Sequence, residues 1–374
     1  MRIATLTYHS ANNNGAFLQA FALQRALIDD LCVQNEIIDY ESEELVRHYS
    51  IFRKGWSKSN LLYNIISLIH YPALKRRKLK FESLRKKNLR VTKHCISIDD
   101  VTTISNQFDA VIVGSDQMWN SGIKDFSRAY FLPGVHSKKY TYSVSLGSRA
   151  DGVSQSLLND NVRKFDGISV REKSAKNRLA ELTNSKIHIS LDPTLLLEKN
   201  DYDVLMRPKR MINQEYIFFY SINYQTEVVD MVLKISNELN LPVYAAGTGP
   251  HSFVAEMKGI KVVWDAGPEE FLNMLNNSKL VVTNSFHGTV FSIIFEKEFY
   301  CLFPEQKGLK AKDERIDDLL SLCGLDERIV IPSTVNEAKT SRKIDYSAVK
   351  QKLIHAREDS FNYLREIVEQ GGRP

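Results

Sequence analysis

The segment Leu280-Val281-Val282-Thr283-Asn284-Ser285-Phe286-His287-Gly288-Thr289-Val290-Phe291 joins an apolar strand to a helix through a short polar turn. A short apolar run of this kind is typical of a strand buried on both faces of a parallel sheet. The turn places His287 at the start of the helix, where unpaired backbone N–H groups and the helix dipole favour an anionic ligand. Gly288 lets a ligand or another part of the backbone approach closely. We therefore predict a βα unit with His287 at its ligand-binding end; the alternative is a histidine that only caps the helix.

The same alternation of strand and helix extends through the chain on both sides of this segment. The predicted strands are Ile3–Thr7, Glu36–Tyr40, Asp109–Val113, Tyr140–Ser145, Gly167–Val170, Ile187–Ile189, Tyr216–Tyr220, Val243–Ala246, Ile260–Val263, Leu280–Thr283 and Glu298–Leu302. The predicted helices between them are 17–28, 171–182, 227–239, 268–275 and 288–295. Strands that alternate with helices in this way specify a parallel sheet covered on both faces.

The length of the chain and an interruption of this pattern indicate two domains. A chain of 374 residues is too long for one ordinary core, and the polar stretch from Lys199 to Gln214 interrupts the alternation. We predict an α/β fold with two Rossmann-like domains facing a cleft. They comprise residues 1–200, with a basic helical insertion at about 51–95, and residues 210–335, followed by a helix at 345–370. In open α/β sheets, ligands bind beyond the carboxyl ends of the strands, so the loops after the strands should carry the chemistry.

Composition excludes several classes of protein and site. The balance of 43% hydrophobic and 25% charged residues is that of an ordinary globular protein. The N-terminal residues lack the pattern of a signal peptide, and no apolar run is long enough to cross a bilayer, so we expect a cytoplasmic protein. The four cysteines are far apart, and the nine histidines show no HxH or HxxxH spacing. We therefore predict neither a disulfide framework nor a metal site, and no cofactor.

Two loops of the first domain carry residues suited to hydroxyl groups. Asn14, Gly15 and Gln19 follow the first strand, and their amides could hold a sugar or phosphate oxygens, or merely cap the helix. This loop does not match GxGxxG, so a dinucleotide site is not favoured. After the third strand, the segment Asp116-Gln117-Met118-Trp119 presents a carboxylate, an amide and an indole. We predict hydroxyl recognition there; the alternative is that Asp116 caps a following helix.

A third loop places an arginine at a strand-to-helix junction. Arg171 follows the strand Gly167–Val170, and a guanidinium group there can hold a carboxylate or phosphate through two hydrogen bonds. The alternative is that Arg171 pairs only with Glu172 or another acid nearby.

These loops, taken together and in this order, resemble the polysaccharide pyruvyl transferase family. The matching pieces are Asn14-Gly15…Leu18-Gln19…Ala22-Leu23-Gln24, Val113-Gly114-Ser115-Asp116-Gln117-Met118-Trp119-Asn120, Ser169-Val170-Arg171-Glu172, Asp192-Pro193-Thr194 and Thr283-Asn284-Ser285-Phe286-His287-Gly288. The resemblance implies a fold like that of the GT-B glycosyltransferases. It also implies transfer of a pyruvyl group from phosphoenolpyruvate, as co-substrate, to two hydroxyls of a sugar.

The resemblance also implies roles for particular residues. His287 corresponds to the general acid that protonates the methylene carbon of phosphoenolpyruvate, and Arg171 to an arginine that holds this donor. Some members carry an arginine two positions before the histidine, where this chain has Ser285. The donor clamp then depends on Arg171, on the helix start with Asn284, Ser285 and Gly288, and on Arg315. The first domain would present the acceptor through Asn14, Gly15, Gln19, Asp116, Gln117 and Trp119.

The insertion combines apolar side chains with a concentration of positive charge. Between Leu74 and Arg90 there are nine Lys or Arg residues and one acid, Glu82, although the whole chain carries only +5. Such a segment could rest on the anionic cytoplasmic face of a membrane, which would suit a lipid-linked acceptor of the kind that the resemblance suggests. The alternative is a solvated helical insertion beside the sheet. Nucleic-acid binding is not favoured, because no nucleic-acid-binding fold accompanies the charge.

Two other functions remain open from the sequence. A glycosyltransferase on the same fold would use a nucleotide sugar and need a ribose-binding carboxylate after a strand of the second domain, which Asp265 or Glu269 could supply. A non-catalytic saccharide-binding module would have no reaction to lose when His287 is changed. The charge at Arg171 and the histidine at a helix start favour an enzyme.

Overall fold

Six parallel strands form the first sheet of the computed structural model, which describes residues 1–147, 154–306, 309–310, 313–335 and 343–371. They are β1 (Arg2–Leu6), β2 (Gln34–Ile37), β3 (Ala110–Asp116), β4 (Lys138–Val144), β5 (Ile168–Val170) and β6 (Ile187–Ile189). The order across the sheet is β2-β1-β3-β4-β5-β6. The central strand β3 is apolar at four consecutive positions and fully buried there, because helices cover both faces of the sheet.

The second half of the chain builds a second parallel sheet. Its strands and the hairpin inserted before the last of them are β7 (Ile217–Tyr220), β8 (Val243–Ala246), β9 (Lys261–Val263), β10 (Leu280–Thr283), β11 (Phe299–Leu302), β12 (Glu305–Gln306), β13 (Leu309–Lys310) and β14 (Ile329–Val330). The sheet order is β14-β11-β10-β7-β8-β9, and β12 pairs with β13 in antiparallel fashion.

Helices connect these strands and cover the sheets. They are α1 (Asn14–Arg25), α2 (Glu43–His48), α3 (Lys58–Ile69), α4 (Tyr71–Asn88), α5 (Ile98–Ser105), α6 (Gln155–Asn161), α7 (Lys173–Ala180), α8 (Thr226–Leu239), α9 (Phe253–Met257), α10 (Pro268–Asn277), α11 (Phe286–Ile294), α12 (Glu314–Cys323) and α13 (Tyr346–Gly371). Several begin at the residues that capping chemistry favours: the side chain of Asn13 caps α1 and that of Ser57 caps α3. None of the helices in the described parts of the chain is long and apolar enough to cross a membrane.

The α/β prediction is confirmed, with small differences at the ends of elements. β6, β8 and β10 have the predicted bounds, but β3 runs on to Asp116, so this residue ends a strand and caps no helix. Helix α11 begins at Phe286, two residues before the predicted start. Part of the stretch predicted as a linker, Lys199–Leu205, is a 3-10 helix. The predicted insertion contains α3 and α4.

Apolar packing joins the two sheets. One buried cluster includes Phe17 and Phe21 of α1 together with Phe271 of α10 and Phe291 of α11. The last helix, α13, extends this connection, because its first half packs in the same cluster and its second half packs against β4 of the first sheet. The carboxyl ends of the strands of both sheets therefore meet along a shared junction.

Candidate active site

An arginine, an aspartate and a histidine from three different loops meet at this junction. Arg171 follows β5, Asp192 follows β6, and His287 lies in the first turn of α11 in the other half. The Arg171 Nη2 is 2.6 Å from the Asp192 Oδ2, and the His287 Nε2 is 3.5 Å from the same oxygen. All three side chains are at least nine-tenths buried. The sequence placed Arg171 and His287 at strand ends, and the fold brings them to one carboxylate.

The guanidinium group of Arg171 is fixed by hydrogen bonds from two of its nitrogens, and its third nitrogen remains available as a donor. Its Nη2 donates to the Oγ of Ser115 at 2.5 Å, and its Nε to the Oγ of Ser143 at 3.5 Å. Its buried Nη1 makes no hydrogen bond within the described residues, and the Oδ1 of Asp116 is 3.9 Å away. A fixed guanidinium group with one free donor is suited to hold an incoming carboxylate or phosphate.

Asp192 is fully buried and supplies the negative charge of the cluster. Its Oδ1 accepts a hydrogen bond from the backbone N–H of Thr194 at 3.0 Å. Burial alone would raise the pKa of Asp192, but the charges of Arg171 and then His287 more than offset this and hold the pKa below its usual range. Asp192 is therefore ionised at neutral pH and places a buried negative charge beside Arg171 and His287.

Two glycines allow close packing around His287: Gly15 faces its ring, and Gly288 faces Thr283. A Cβ atom at Gly15 would stand 2.1 Å from the His287 Nδ1, so only glycine at this position of α1 leaves room for the ring. A Cβ atom at Gly288 would stand 2.2 Å from the Oγ1 of Thr283. Ser285 is the N-cap residue of α11, and its side chain makes no capping hydrogen bond. The first turn of this helix therefore keeps backbone donors for a ligand beside His287.

The ring of Phe286 contacts both arginines that are predicted to bind the donor substrate. The guanidinium carbons of Arg171 and Arg315 lie 4.6 Å and 5.6 Å from the centre of its ring. Arg315 is already paired with Asp313 through two hydrogen bonds, of 3.0 Å and 2.8 Å. Burial opposes the charge of Arg315, but Asp313 raises its pKa above the ordinary value. A cavity of about 330 Å³ is lined by Arg171, Asp192, Phe286 and Arg315, and the Nε2 of His287 is 3.5 Å from the Asp192 carboxylate.

Glu172, next to Arg171, is a second buried carboxyl group that the sequence did not single out. Its Oε1 accepts a hydrogen bond from Ser145, and its Oε2 has no hydrogen-bond partner within the described residues. Burial raises the pKa of Glu172 to about 7, although Arg171 and Ser145 lower it. This group therefore exchanges a proton near neutral pH within the cluster.

Replacing Glu172 with glutamine should change how stability depends on pH. Between its ordinary pKa of 4.5 and about 7, native Glu172 keeps a proton that the unfolded chain has lost, so the free energy of unfolding falls as pH rises. Glutamine is neutral throughout, so we expect the Glu172→Gln variant to gain up to about 3 kcal/mol over the wild type above pH 7 and nothing below pH 4. Urea unfolding curves from pH 4 to 8 measure this difference, and parallel curves for the two proteins would contradict it.

The residues predicted to bind the acceptor substrate differ in how accessible their side chains are to a ligand. Trp119 is fully buried, donates its indole N–H to the carbonyl of Tyr130 and stacks on Phe131. The amide of Gln19 is also fully buried and bonds Thr7, Ala16 and Ser115. These two side chains support the site from behind, and their placement does not favour contact with a substrate.

Asn14 and Asp116 are better placed than Gln19 and Trp119 to contact a substrate. The side-chain amide of Asn14 is buried without a hydrogen bond of normal geometry within the described residues. It lies beside Tyr220, whose pKa burial raises to about 12, with Arg77 and Asn14 opposing this rise. Asp116 is partly exposed and faces Arg171, whereas the amide oxygen of Gln117 is bonded by Asn120. Asn284 is half-buried at the start of α11.

Asp192 is the main residue of the site that sequence reasoning missed. It belongs to a matched motif, Asp192-Pro193-Thr194, but no role was predicted for it. A signal was present, because Asp192 follows β6 as Arg171 follows β5, and neighbouring parallel strands end side by side. Its partnership with His287 was not visible, since 95 positions of sequence separate the two residues.

The carboxylates considered for a nucleotide sugar lie in ion pairs. The Oδ2 of Asp265 is 3.2 Å from Arg76 and 3.1 Å from Lys80, and the Oε1 of Glu269 is 2.8 Å from Arg207. Within the described residues, no group of three or more His, Cys, Asp or Glu side chains is arranged to hold a metal ion.

Solved structures with a similar fold are nucleotide-sugar enzymes of very low sequence identity. The UDP-GlcNAc 2-epimerase of Methanocaldococcus jannaschii has 12% identity and a TM-score of 0.53, with 99% of this chain and 100% of that chain covered. The enzymes of Rickettsia bellii and Neisseria meningitidis have 11% and 10% identity and a TM-score of 0.52 each. Their matches cover 99% of this chain and 97% and 100% of theirs, respectively. At this identity the likeness shows the fold alone, and it confirms the predicted GT-B-like arrangement of two Rossmann-like units.

Sequence comparison gives the family. No curated protein sequence matches the chain significantly. The family model for polysaccharide pyruvyl transferases matches residues 13–302, which contain Asn14, Arg171, Asp192 and His287. This match spans more than three-quarters of the chain and includes strands of both sheets. The chain belongs to the polysaccharide pyruvyl transferase family.

Proposed function

We propose that the protein transfers a pyruvyl group from phosphoenolpyruvate to two hydroxyls of a sugar in a surface-polysaccharide precursor, such as a capsule or exopolysaccharide intermediate. The products are a pyruvate ketal and phosphate. The observation that carries this proposal is the placement of His287, at the start of α11 and 3.5 Å from the Asp192 carboxylate that Arg171 also binds. This gives a proton donor and an anion-binding guanidinium group at one point of the interdomain junction.

In the proposed reaction His287 acts as the general acid. Protonated His287 gives its proton to the methylene carbon of phosphoenolpyruvate and leaves a cationic carbon at the neighbouring position. One sugar hydroxyl attacks this carbon, the bond to phosphate then breaks, and the second hydroxyl closes the ketal. One hydroxyl proton restores His287 and the other leaves with the phosphate, so protons balance over the cycle.

The donor would be held by the free Nη1 of Arg171 and by the first turn of α11, with Asn284, Ser285 and Gly288. Arg315 would contribute through its stacking on Phe286, while its pair with Asp313 fixes its position. On the acceptor side we retain Asn14, Gly15, Asp116 and Gln117. The proposal requires no metal or organic cofactor, and phosphoenolpyruvate is a co-substrate.

Phosphate release from phosphoenolpyruvate tests the proposed function directly. Sugars linked to a short polyprenyl diphosphate and the corresponding nitrophenyl sugars would be supplied as acceptors. We expect release that requires both the sugar and the protein, and a product whose mass is increased by one pyruvyl ketal. Failure of calorimetry to detect phosphoenolpyruvate binding would overturn the proposal.

A nucleotide-sugar glycosyltransferase is the competing function, because it uses the same fold. The ion pairs of Asp265 and Glu269 do not favour it, since both predicted ribose ligands are engaged by basic side chains. Binding of a uridine or adenosine diphosphate sugar in place of phosphoenolpyruvate, with sugar transfer to the acceptor, would establish it.

A lipid-linked acceptor accords with an exposed apolar surface formed by α3 and the residues before it, which we call the α3 face. Its members are large apolar side chains about half exposed or more: Trp56, Leu61, Leu62, Ile65, Leu68 and Ile69. Trp56 is 98% exposed, and Lys54, Lys58 and Lys75 are exposed nearby along the chain. Apolar side chains flanked by lysines are suited to the interfacial region of an anionic bilayer. We propose that the protein docks here on the cytoplasmic membrane face.

Charged substitutions on the α3 face should abolish this docking. We expect the Leu62→Glu/Leu68→Glu variant to lose at least tenfold in affinity for vesicles rich in phosphatidylglycerol, because two apolar side chains no longer enter the bilayer and two negative charges face it. Trp56 provides the readout, since Trp119 and Trp264 are buried and its fluorescence alone should shift on binding. Ile354→Glu, at an exposed position of α13, is the control. A wild-type protein that ignores these vesicles would contradict the proposal.

A further inference from the structure

A small cavity between the two halves is lined by several basic side chains and by no carboxylate of the described residues. Its volume is about 150 Å³, and its basic lining residues are His48, Arg53, Arg77, Lys78 and His251. The remainder of the lining includes Asn13 after β1, Asn223 after β7 and the turn 248–250 after β8. Loops at the carboxyl ends of both sheets therefore enclose a cation-rich space.

Arg77 of α4 is the deepest of these cations. It is 93% buried, and its guanidinium group donates to two neutral carbonyls, of Ala266 at 3.0 Å and of Asn12 at 2.9 Å. No carboxylate of the described residues lies within ion-pair distance of it. Burial lowers the pKa of Arg77. A buried cation without an anionic partner is costly, and an anionic ligand would remove that cost.

Arg53 and His251 are two further basic side chains of this cavity, and they lie nearer to solvent than Arg77. The Arg53 guanidinium group lies 3.8 Å from the ring centre of Tyr63, and its Nη2 is 3.4 Å from the Nε2 of His251. Burial lowers the pKa of His251, and the neighbouring charges of Arg53 and His48 lower it further. A lowered pKa leaves His251 neutral near pH 7, so its Nε2 can accept a hydrogen bond from Arg53, which keeps its charge.

Other basic residues of the same helix show that the fold can supply carboxylates where it needs them. Arg76 pairs with Asp265, and Lys80 pairs with both Asp265 and Glu270. These pairs join α4 to the second half and account for part of the basic run. Of the basic residues that line the cavity, Lys78 pairs with Glu82, whereas Arg53 and Arg77 have no carboxylate within ion-pair distance among the described residues. These two unpaired guanidinium groups point to an anion from outside.

We infer that this cavity binds the phosphate or diphosphate group of the acceptor substrate; this inference rests on the proposed function. The volume is below the roughly 300–1,000 Å³ of sites for drug-sized ligands, so it suits a small charged group. Its lining includes Asn13, two residues before the Gly15 that contacts His287. Tyr63 of α3 and Leu74 of α4 also line it, so a lipid attached to the bound diphosphate would leave towards the α3 face.

Calorimetry with inorganic pyrophosphate tests the site without requiring activity. We expect Arg53→Gln to weaken pyrophosphate binding at least tenfold, as for the loss of one charge-assisted hydrogen bond, and His251→Ala to weaken it less. Arg365→Gln, at an arginine of α13 paired with Glu358, should bind like the wild type. Phosphoenolpyruvate should bind equally well to Arg53→Gln and should not displace pyrophosphate.

Competition and kinetics distinguish the sources of the phosphate. In the transfer assay, Arg53→Gln should raise the KM of a polyprenyl-diphosphate sugar about tenfold and leave that of the nitrophenyl sugar unchanged. Pyrophosphate binding that is unaffected by Arg53→Gln overturns the inference. Displacement by phosphoenolpyruvate would reassign the cavity to the donor. Uridine diphosphate that binds over a hundredfold more tightly than pyrophosphate would reassign it to a nucleotide. If the transfer assay shows no activity, the proposed function fails, but the pyrophosphate binding measurement still tests the anion site independently.

Discussion

Replacing His287 with asparagine should lower kcat for pyruvyl transfer by about 10²–10⁴-fold, the contribution of a positioned general acid. Asparagine is polar and fits the space of the histidine ring beside Asp192, but it cannot deliver a proton to carbon. The Kd of phosphoenolpyruvate should change little, because Arg171 and the first turn of α11 remain. Phosphate release and calorimetry on the same preparation measure the two quantities. His355→Asn, at an exposed histidine of α13, is the matched control.

The glycine that faces His287 offers an independent check on this role. Gly15→Ala leaves every titratable group in place but puts a methyl group where the histidine ring lies, 2.1 Å from its Nδ1. If His287 acts by position, this variant should also lose kcat and keep donor affinity. A His287→Asn protein that turns over at the wild-type rate would remove the histidine from the mechanism, whatever Gly15→Ala does.

Replacing Arg171 with leucine should destabilise the protein by about 3–5 kcal/mol, because it leaves the carboxylate of Asp192 buried with one of its two cations removed. Asp192 is fully buried and 2.6 Å from the guanidinium group, so water cannot easily replace it. We expect a large fall in Tm and in the urea midpoint. Donor binding should be lost as well, since the free Nη1 disappears with the side chain.

A second substitution separates the charge effect from a packing effect. Asp192→Asn removes the buried negative charge, so the Arg171→Leu/Asp192→Asn protein should recover most of the lost stability while remaining unable to bind phosphoenolpyruvate. If the double variant is as unstable as Arg171→Leu, the loss comes from packing against Phe286 instead. An Arg171→Leu protein with wild-type stability would show that Asp192 is not ionised in the native state.

The sequence alone determined the local elements and the ends of the strands where the chemistry lies. Apolar runs and the positions of Gly, Pro and Asn are local properties, and the alternation of strand and helix requires a parallel sheet. The order of the short motifs gave the family, and the placement of His287 at a helix start followed from the strand and turn before it. These features are predictable because each depends on residues close together in the chain.

Tertiary structure alone decided which of these residues meet. The contact of Asp192 with Arg171 and His287 arises where three loops from two sheets converge, and no local pattern encodes it. Gln19 and Trp119 face inward because the packing of the loops around them leaves no path to solvent. In α4, Arg76 and Lys80 gain acidic partners only because the fold brings Asp265 and Glu270 beside them, whereas Arg77 gains none among the described residues. Charge and burial at a site are sums over distant parts of the chain, and only the folded protein fixes those sums.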